Sequence, residues 1–376
     1  MKKFLTFVLV AGIIVSLILA GCAAPVSTPA PKPTPKPTET PATPNVIELR
    51  FGHQNPAMAR TTVKFIDPWA KKVEEATKGR VKITMYPAES LFKATDGWEA
   101  TKGGMTDICW TIMSYYTGPF PLTSVIGLPF LSLSSGKIDG KVRSGGAVNS
   151  HILQELYETL PEIQAEWKDV KVLMLFCGDP AFVRTSKKPV RNTNDLQGLK
   201  IREVGIYPTE MWKLLGATPV AMGMPAVYDA VSKGVLDGSN SSWAPFATFK
   251  MWEVMKYWTD AGTIAPPMMQ IMNLKTWNSL PTDIQEAIMS VSGMYGAELA
   301  GDSIFGFDAR EEVLAAAQKA GKPLERVELD AGEYEKWKET AGKPLWGKWV
   351  NEMNAKGLNG QKVLDATLSL LEKYSP

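Results

Sequence analysis

Arg202 closes the run Leu199-Lys-Ile-Arg, in which strand alternation puts Leu199 and Ile201 on one face and Lys200 and Arg202 on the other. A guanidinium at the carboxyl end of a strand can grip a carboxylate through two parallel hydrogen bonds, which an ammonium cannot do. By itself such an arginine is more often a surface charge. Other residue types that do chemistry are sparse. The chain has two histidines, His53 and His151, and beyond Cys22 only two cysteines, Cys109 and Cys177. No Cys/His cluster has metal-ligand spacing, and neither a Gly-rich phosphate loop nor a G-x-S-x-G elbow is present. A Ser-His-Asp set would have to recruit an isolated histidine. The expectation is therefore no catalytic set, no metal and no cofactor. Cys109 and Cys177 each sit in an apolar strand-like run, TDICWTI and KVLMLFC, and are expected to be buried free thiols, although an exported protein permits a disulfide.

The elements that must position these residues are those of an α/β fold, short apolar or β-branched runs alternating with helical stretches. Val46–Phe51 is a first strand, Thr61–Thr77 an amphipathic helix stopped by Gly79, and Val81–Tyr86 a second strand before Pro87. One pattern then occurs twice. VKITMYPAESLF leads through a helix to TKGGMTDICW, and about 130 residues later comes TPVAMGMPAVYDAVSKGVLDG. In both, a strand meets a proline, a helix follows, Gly104 or Gly234 ends it, and a short strand carries Asp107 or Asp237. Two related lobes are expected, with a ligand cleft at the carboxyl ends of their strands.

Composition narrows the class. The chain has 376 residues, 45% hydrophobic and 21% charged, which suits two globular lobes and excludes a disordered or multi-span membrane protein. Two of the 41 basic residues, Lys2 and Lys3, fall in residues 1–21, leaving 39 against 39 acidic ones. A neutral chain without a basic block is a poor nucleic-acid partner. Residues 1–21 have the charged head, apolar run and small-residue end of a signal peptide. The ending Leu19-Ala-Gly-Cys22 resembles a bacterial lipobox, which implies a lipid-acylated Cys22 on a membrane. Residues 22–45 then form a Pro/Thr-rich linker able to extend roughly 60–70 Å.

The words NDLQGLKIR (Asn194–Arg202) and LLGATPVAMGMPAVYDAVSKGVLDG (Leu214–Gly238) resemble the P-type solute-binding subunit of tripartite ATP-independent periplasmic (TRAP) transporters. WAKKVEEATKGRVKITMYPAESL, the GLPF of Gly127–Phe130 and WNSLPTDIQEAI agree in order and spacing. The resemblance implies a two-lobed periplasmic binding protein-like clamp that closes on an organic anion. It further implies delivery to an ion-gradient-driven permease and makes Arg202 the carboxylate clamp. Asn240 and Ser241 stand where many members carry Glu and Asn. Phe182 stands where sialic-acid binders carry Arg, with Arg184 two residues on. These departures disfavour a sugar acid or a metal-held oxoacid. Trp110, Tyr115, Tyr116, Trp243 and Phe182 suggest instead a cleft for an apolar or aromatic body, with Gln54 and Asn55 able to add hydrogen bonds.

Lobe I is expected to comprise residues 46–179 with about 267–306, and lobe II residues 180–266 with about 307–376 and the C-terminal helices. From Pro281 a helical pattern runs some forty residues without a proline, as one long helix spanning both lobes or two stacked ones, despite Gly293, Gly296, Gly301 and Gly306. Two rival classes remain: a sensor module for a membrane kinase and a lipid-anchored enzyme.

Overall fold

The computed structural model describes residues 46–376, so the signal segment, Cys22 and the linker lie outside the described residues. The chain lays down β1 (Ile47–His53), β2 (Val81–Tyr86) and β3 (Ile108–Ile112), a hairpin of β4 (Ser135–Ile138) and β5 (Lys141–Ser144), and β6 (Val170–Cys177). It then crosses to a second sheet for β7 (Phe182–Thr185), β8 (Lys200–Arg202), β9 (Thr218–Val220), β10 (Gly238–Ser241) and β11 (Tyr257–Thr259). It returns for β12 (Pro267–Asn273) and crosses again for β13 (Glu325–Val327).

Lobe I has strand order β2-β1-β3-β12-β6, and lobe II has β9-β8-β10-β7-β11-β13. The first five positions correspond in direction, and the first three also in chain order. β1 is parallel to β2 and β3, as β8 is to β9 and β10, and the next two pairings in each sheet are antiparallel. The duplicated sequence pattern is therefore a duplicated half-sheet. Its aspartates do the same work in both copies. Asp107 Oδ2 accepts from the Arg50 backbone N–H at 2.9 Å, and Asp237 Oδ2 accepts from that of Lys200 at 2.9 Å. The turns before them need the left-handed backbone that Gly104 (φ 77°) and Gly234 (φ 72°) supply.

Around lobe I, the helix Gly145–Thr159 packs against the helix Gly293–Phe305, and their backbones nearly touch at Gly146 and Gly301. The expected forty-residue helix is broken into Thr282–Ser290, Gly293–Phe305 and Asp308–Lys319. The first break falls where Ser292 is extended and Gly293 takes φ 54°; the second falls at Gly306, extended at ψ 167°. Glycine permits these turns, so the span across the lobes is jointed. The C-terminal expectation also needs correction. Trp337, Ala341 and Leu345 pack in lobe II, but Trp349, Val350, Met353, Val363 and Leu364 join the lobe I core. The chain thus crosses back along the helix Lys343–Ala355, carried by apolar residues at helical spacing.

Two crossing segments form the hinge by bonding to one another. Gly178 N–H donates to Pro266 O (2.9 Å), Ala181 N–H to Ile264 O (2.7 Å) and Thr263 N–H to Ala181 O (2.9 Å).

Candidate functional site

Arg202 ends β8 at the carboxyl edge of the lobe II sheet and is 5% exposed. Its Nε–H donates to the Met222 carbonyl at 3.1 Å, which fixes the plane of the guanidinium. Its Nη2 is buried and has no protein acceptor. A charged donor in that state costs far more than a satisfied one. It lines a cavity with about 460 Å³ of space unfilled by protein atoms. Ile112, Ser114 and Met268 close that cavity from lobe I, while Asn240, Ser241 and Ser242 face it from lobe II.

Beside the arginine, Glu203 is fully committed. It accepts from Val204 N–H (2.9 Å), Trp212 Nε1–H (2.9 Å) and Asn240 Nδ2–H (2.8 Å). Burial raises its pKa, opposed mainly by the charge of Arg202. Asn240 lies in the cavity wall, yet both ends of its amide are taken, since Oδ1 also accepts from Thr263 Oγ1–H at 3.1 Å. Its role is to hold Glu203 and the hinge. Ser241 also lines the cavity, with Arg184 donating to its carbonyl.

Phe182, Arg184 and Trp243 do not line this cavity. β7 runs antiparallel to β10 and carries Phe182 and Arg184 into a hinge-side stack. There the Arg184 guanidinium lies 4.4 Å from the Trp243 ring and 4.6 Å from Phe246. Asp179 sits in the first crossing segment and is partly exposed, but its Oδ1 is buried. Burial pushes it up to about 7 against the opposing charge of Arg184, and burial lowers Arg184 to about 9. These aromatics are hinge core, because ring-on-guanidinium packing buries a charge that the lobe interface cannot hydrate.

Tyr115 bridges the lobes. Its hydroxyl accepts from the Met224 backbone N–H at 3.1 Å, and nearby the Cβ of Ser114 lies 3.4 Å from where a Cβ on Gly205 would stand. Tyr116 stays within lobe I, bonded at 3.1 Å to the Thr111 hydroxyl.

Gln54 and Asn55 follow β1 at the same sheet edge. Both are buried, and Gln54 Oε1 and Asn55 Nδ2 are unpartnered. Trp110 lies deeper, on the helix-facing side of the lobe I sheet, with its Nε1–H unpartnered. His53 and Gln270 stand beside it in register, on β1 and β12. His151 is distant from all of these, tied to Glu298 (2.7 Å) and the Tyr374 hydroxyl (2.9 Å). Cys109 and Cys177 are free, buried thiols, and burial pushes Cys109 up to about 12. A second opening of about 650 Å³ shares Ser114 with the first, but its charged lining residues are Glu352 and Lys356, and it contains no arginine.

Sequence reasoning missed Ser114, Ser242 and Gln270. Ser242 has a buried, unpartnered hydroxyl in the cavity wall. The amide interrupting the apolar run PMMQIM was the available signal for Gln270, because a buried amide needs partners.

Two duplicated α/β lobes, hinged by crossing strands and closed over an unpaired arginine, define a solute-binding clamp. Residues 51–353 match the family of bacterial extracellular solute-binding proteins, family 7, and the chain belongs to that family. It is 28% identical over 312 residues to a solute-binding protein of Albidiferax ferrireducens, covering 79% of this chain and 85% of that one. A TRAP solute-binding protein from a marine metagenome, specific for aromatic acid ligands and complexed with metahydroxyphenylacetate, is 31% identical with a TM-score of 0.78. That match covers 88% of this chain and 100% of the other. A TRAP solute-binding protein of Rhodoferax ferrireducens holding copurified benzoate is 26% identical with a TM-score of 0.79, covering 87% and 98%. One from Bordetella bronchiseptica with bound mandelate is 27% identical with a TM-score of 0.74, covering 87% and 99%.

Proposed function

We propose that this chain captures a monocarboxylate with an aromatic or apolar body and hands it to the membrane subunits of a TRAP permease. The observation that carries this reading is the Arg202 Nη2, buried without an acceptor at the wall of the interlobe cavity. A carboxylate supplies the missing acceptor through a charge-assisted contact, in addition to the Glu203 carboxylate whose charge already interacts with Arg202. Apart from Glu203, Ser114, Asn240, Ser241 and Ser242 the wall suits an uncharged body, since Ile112, Met224, Pro245, Ile264, Pro266 and Met268 offer it apolar surface. Benzoate, mandelate and hydroxyphenylacetate in the related structures have that form.

The protein works outside the cytoplasm in this reading, exported by residues 1–21 and held to a membrane by acylated Cys22 through the 22–45 linker. The relatives are transporter solute-binding proteins, which supports binding without turnover. Mass spectrometry of the purified full chain tests both parts. The copurifying small molecule should be an aromatic or apolar monocarboxylate, and the mature protein should begin at a lipid-modified Cys22. A ligand without a carboxylate overturns the first, and an unmodified peptide running through Leu19 to Cys22 overturns the second.

A further inference from the structure

Three buried polar side chains lie in one row across the lobe I sheet. His53 on β1 pairs with Trp110 on β3, and Trp110 pairs with Gln270 on β12. Directly opposed residues point to the same face, so all three share the side of the sheet that carries Phe51, Ile108 and Met272. They are 1%, 3% and 0% exposed; the Trp110 Nε1 and both amide atoms of Gln270 lack a hydrogen-bond partner, and the His53 ring nitrogens have none in good geometry, with only the Asn55 backbone acting on the ring. Five polar atoms on three adjacent residues thus lack a protein partner, whereas buried polar groups in native proteins are nearly all satisfied by protein, ordered water or ligand.

The row is not remote from the ligand cavity. Ile112 and Met268 line that cavity and form the next pair on the same face, one strand repeat or about 6.7 Å away. Lobe II closes over this stretch. Pro245 lines the cavity, and its neighbour Ala244 packs in the apolar cluster that contains Trp110, Phe176 and Met268. The row itself lies one residue pair beyond the cavity wall that Ile112 and Met268 form, so a ligand held at Arg202 must extend past that pair to meet it.

We infer that His53, Trp110 and Gln270 form a second recognition site for an uncharged hydrogen-bonding substituent, so that the ligand is a hydroxylated aromatic monocarboxylate. The inference rests on the carboxylate reading of Arg202. The row offers donors and acceptors together: an indole N–H, an amide with both, and an imidazole with one of each. A hydroxyl, itself donor and acceptor, can make up to three bonds with such a set. Burial lowers His53 to about 4, opposed by the backbone of Asn55, so the ring is neutral at pH 7. A second carboxylate would be desolvated there without a countercharge.

Calorimetry on the full chain with benzoate, 3-hydroxybenzoate, 4-hydroxybenzoate and the dicarboxylate isophthalate tests this. At least one hydroxybenzoate should bind about tenfold or more tighter than benzoate, because a site built for a hydroxyl leaves its own groups unpaired with the analogue. Isophthalate should bind more weakly than benzoate. Gln270→Met, matching its neighbours Met268 and Met272, should bring the hydroxybenzoate-to-benzoate ratio within about twofold while benzoate binding persists. If that variant unfolds, His53→Phe is expected to reduce the same ratio. A wild-type protein that does not separate the hydroxybenzoates from benzoate, or variants that keep the full ratio, would overturn the inference. Arg202→Ala separates the two readings. If it leaves all four affinities unchanged, the carboxylate clamp is wrong; if it abolishes binding of acids that the wild type binds equally, only the row's role fails.

Discussion

At the scale of single residues, the site depends on how each buried polar group is partnered. Arg202 and Arg184 are both buried arginines on lobe II strands, yet their surroundings assign opposite roles. Arg184 is boxed by Trp243 and Phe246 and donates to the Ser241 carbonyl, and although its own Nε and Nη2 are buried without partners it lies outside the cavity wall, so it is framework. Arg202 spends Nε on Met222, leaves Nη2 unpartnered and lines the cavity. Truncating one partner of a desolvated charge pair costs about 2–5 kcal/mol. Arg202→Ala is therefore expected to weaken the copurified ligand by roughly thirty-fold to several thousand-fold. Arg202→Lys should restore only part, since a point charge lacks the fork and cannot keep both the Met222 bond and a bidentate contact. Calorimetry decides, and affinity within about threefold of wild type for the alanine variant would place the carboxylate elsewhere.

At the scale of elements, glycine controls both packing and joints. Gly301 lets its helix settle on the helix Gly145–Thr159, and a Cβ there would stand 2.4 Å from the Gly146 carbonyl. Backbone cannot swing aside as a side chain can, so the helices must separate. Gly301→Ala is expected to destabilise the protein by about 1–3 kcal/mol, the range for an overpacked core. Gly347, in the helix Lys343–Ala355, has open space where its Cβ would stand. Gly347→Ala should stabilise by about 0.5–1 kcal/mol through helix propensity alone. Urea unfolding of the pair distinguishes packing from propensity, and equal shifts of the same sign would refute the close-contact account.

At the scale of the molecule, polar ties between the lobes help to hold the closed form. Tyr115 accepts from Met224 N–H, while Arg60 and Lys64 of lobe I reach Asp308 at 2.6 and 3.0 Å on the helix Asp308–Lys319, whose Ala309 and Val313 pack in lobe II. Losing one neutral hydrogen bond costs about 0.5–1.5 kcal/mol. A ligand that binds only the closed form bears that cost in full. Tyr115→Phe should therefore weaken ligand binding about two- to tenfold without lowering the melting temperature of either lobe's core. X-ray scattering should show a larger unliganded radius of gyration. An unchanged affinity together with an unchanged radius would mean that Tyr115 does not latch the cleft.

Much of this was legible along the chain because the relevant physics is local. Alternation located β8 and put Arg202 at its end, and the Gly–Asp spacing marked two equivalent half-sheets before any pairing was known. The apolar runs around Cys109 and Cys177 foretold buried thiols. What the sequence could not rank was which aromatic rings meet ligand. Trp243 and Phe182 follow the right motifs, but β7 pairs antiparallel with β10 and carries them to the hinge side, a choice made by strand pairing between residues some sixty apart. The helix joints at Gly293 and Gly306 and the return of the C-terminal helices to lobe I were settled by packing. The row of His53, Trp110 and Gln270 is the clearest case. Its members are separated by up to 217 positions and become one site only through the register of β1, β3 and β12, because adjacency across a sheet is a property of pairing and leaves no periodic mark in the chain.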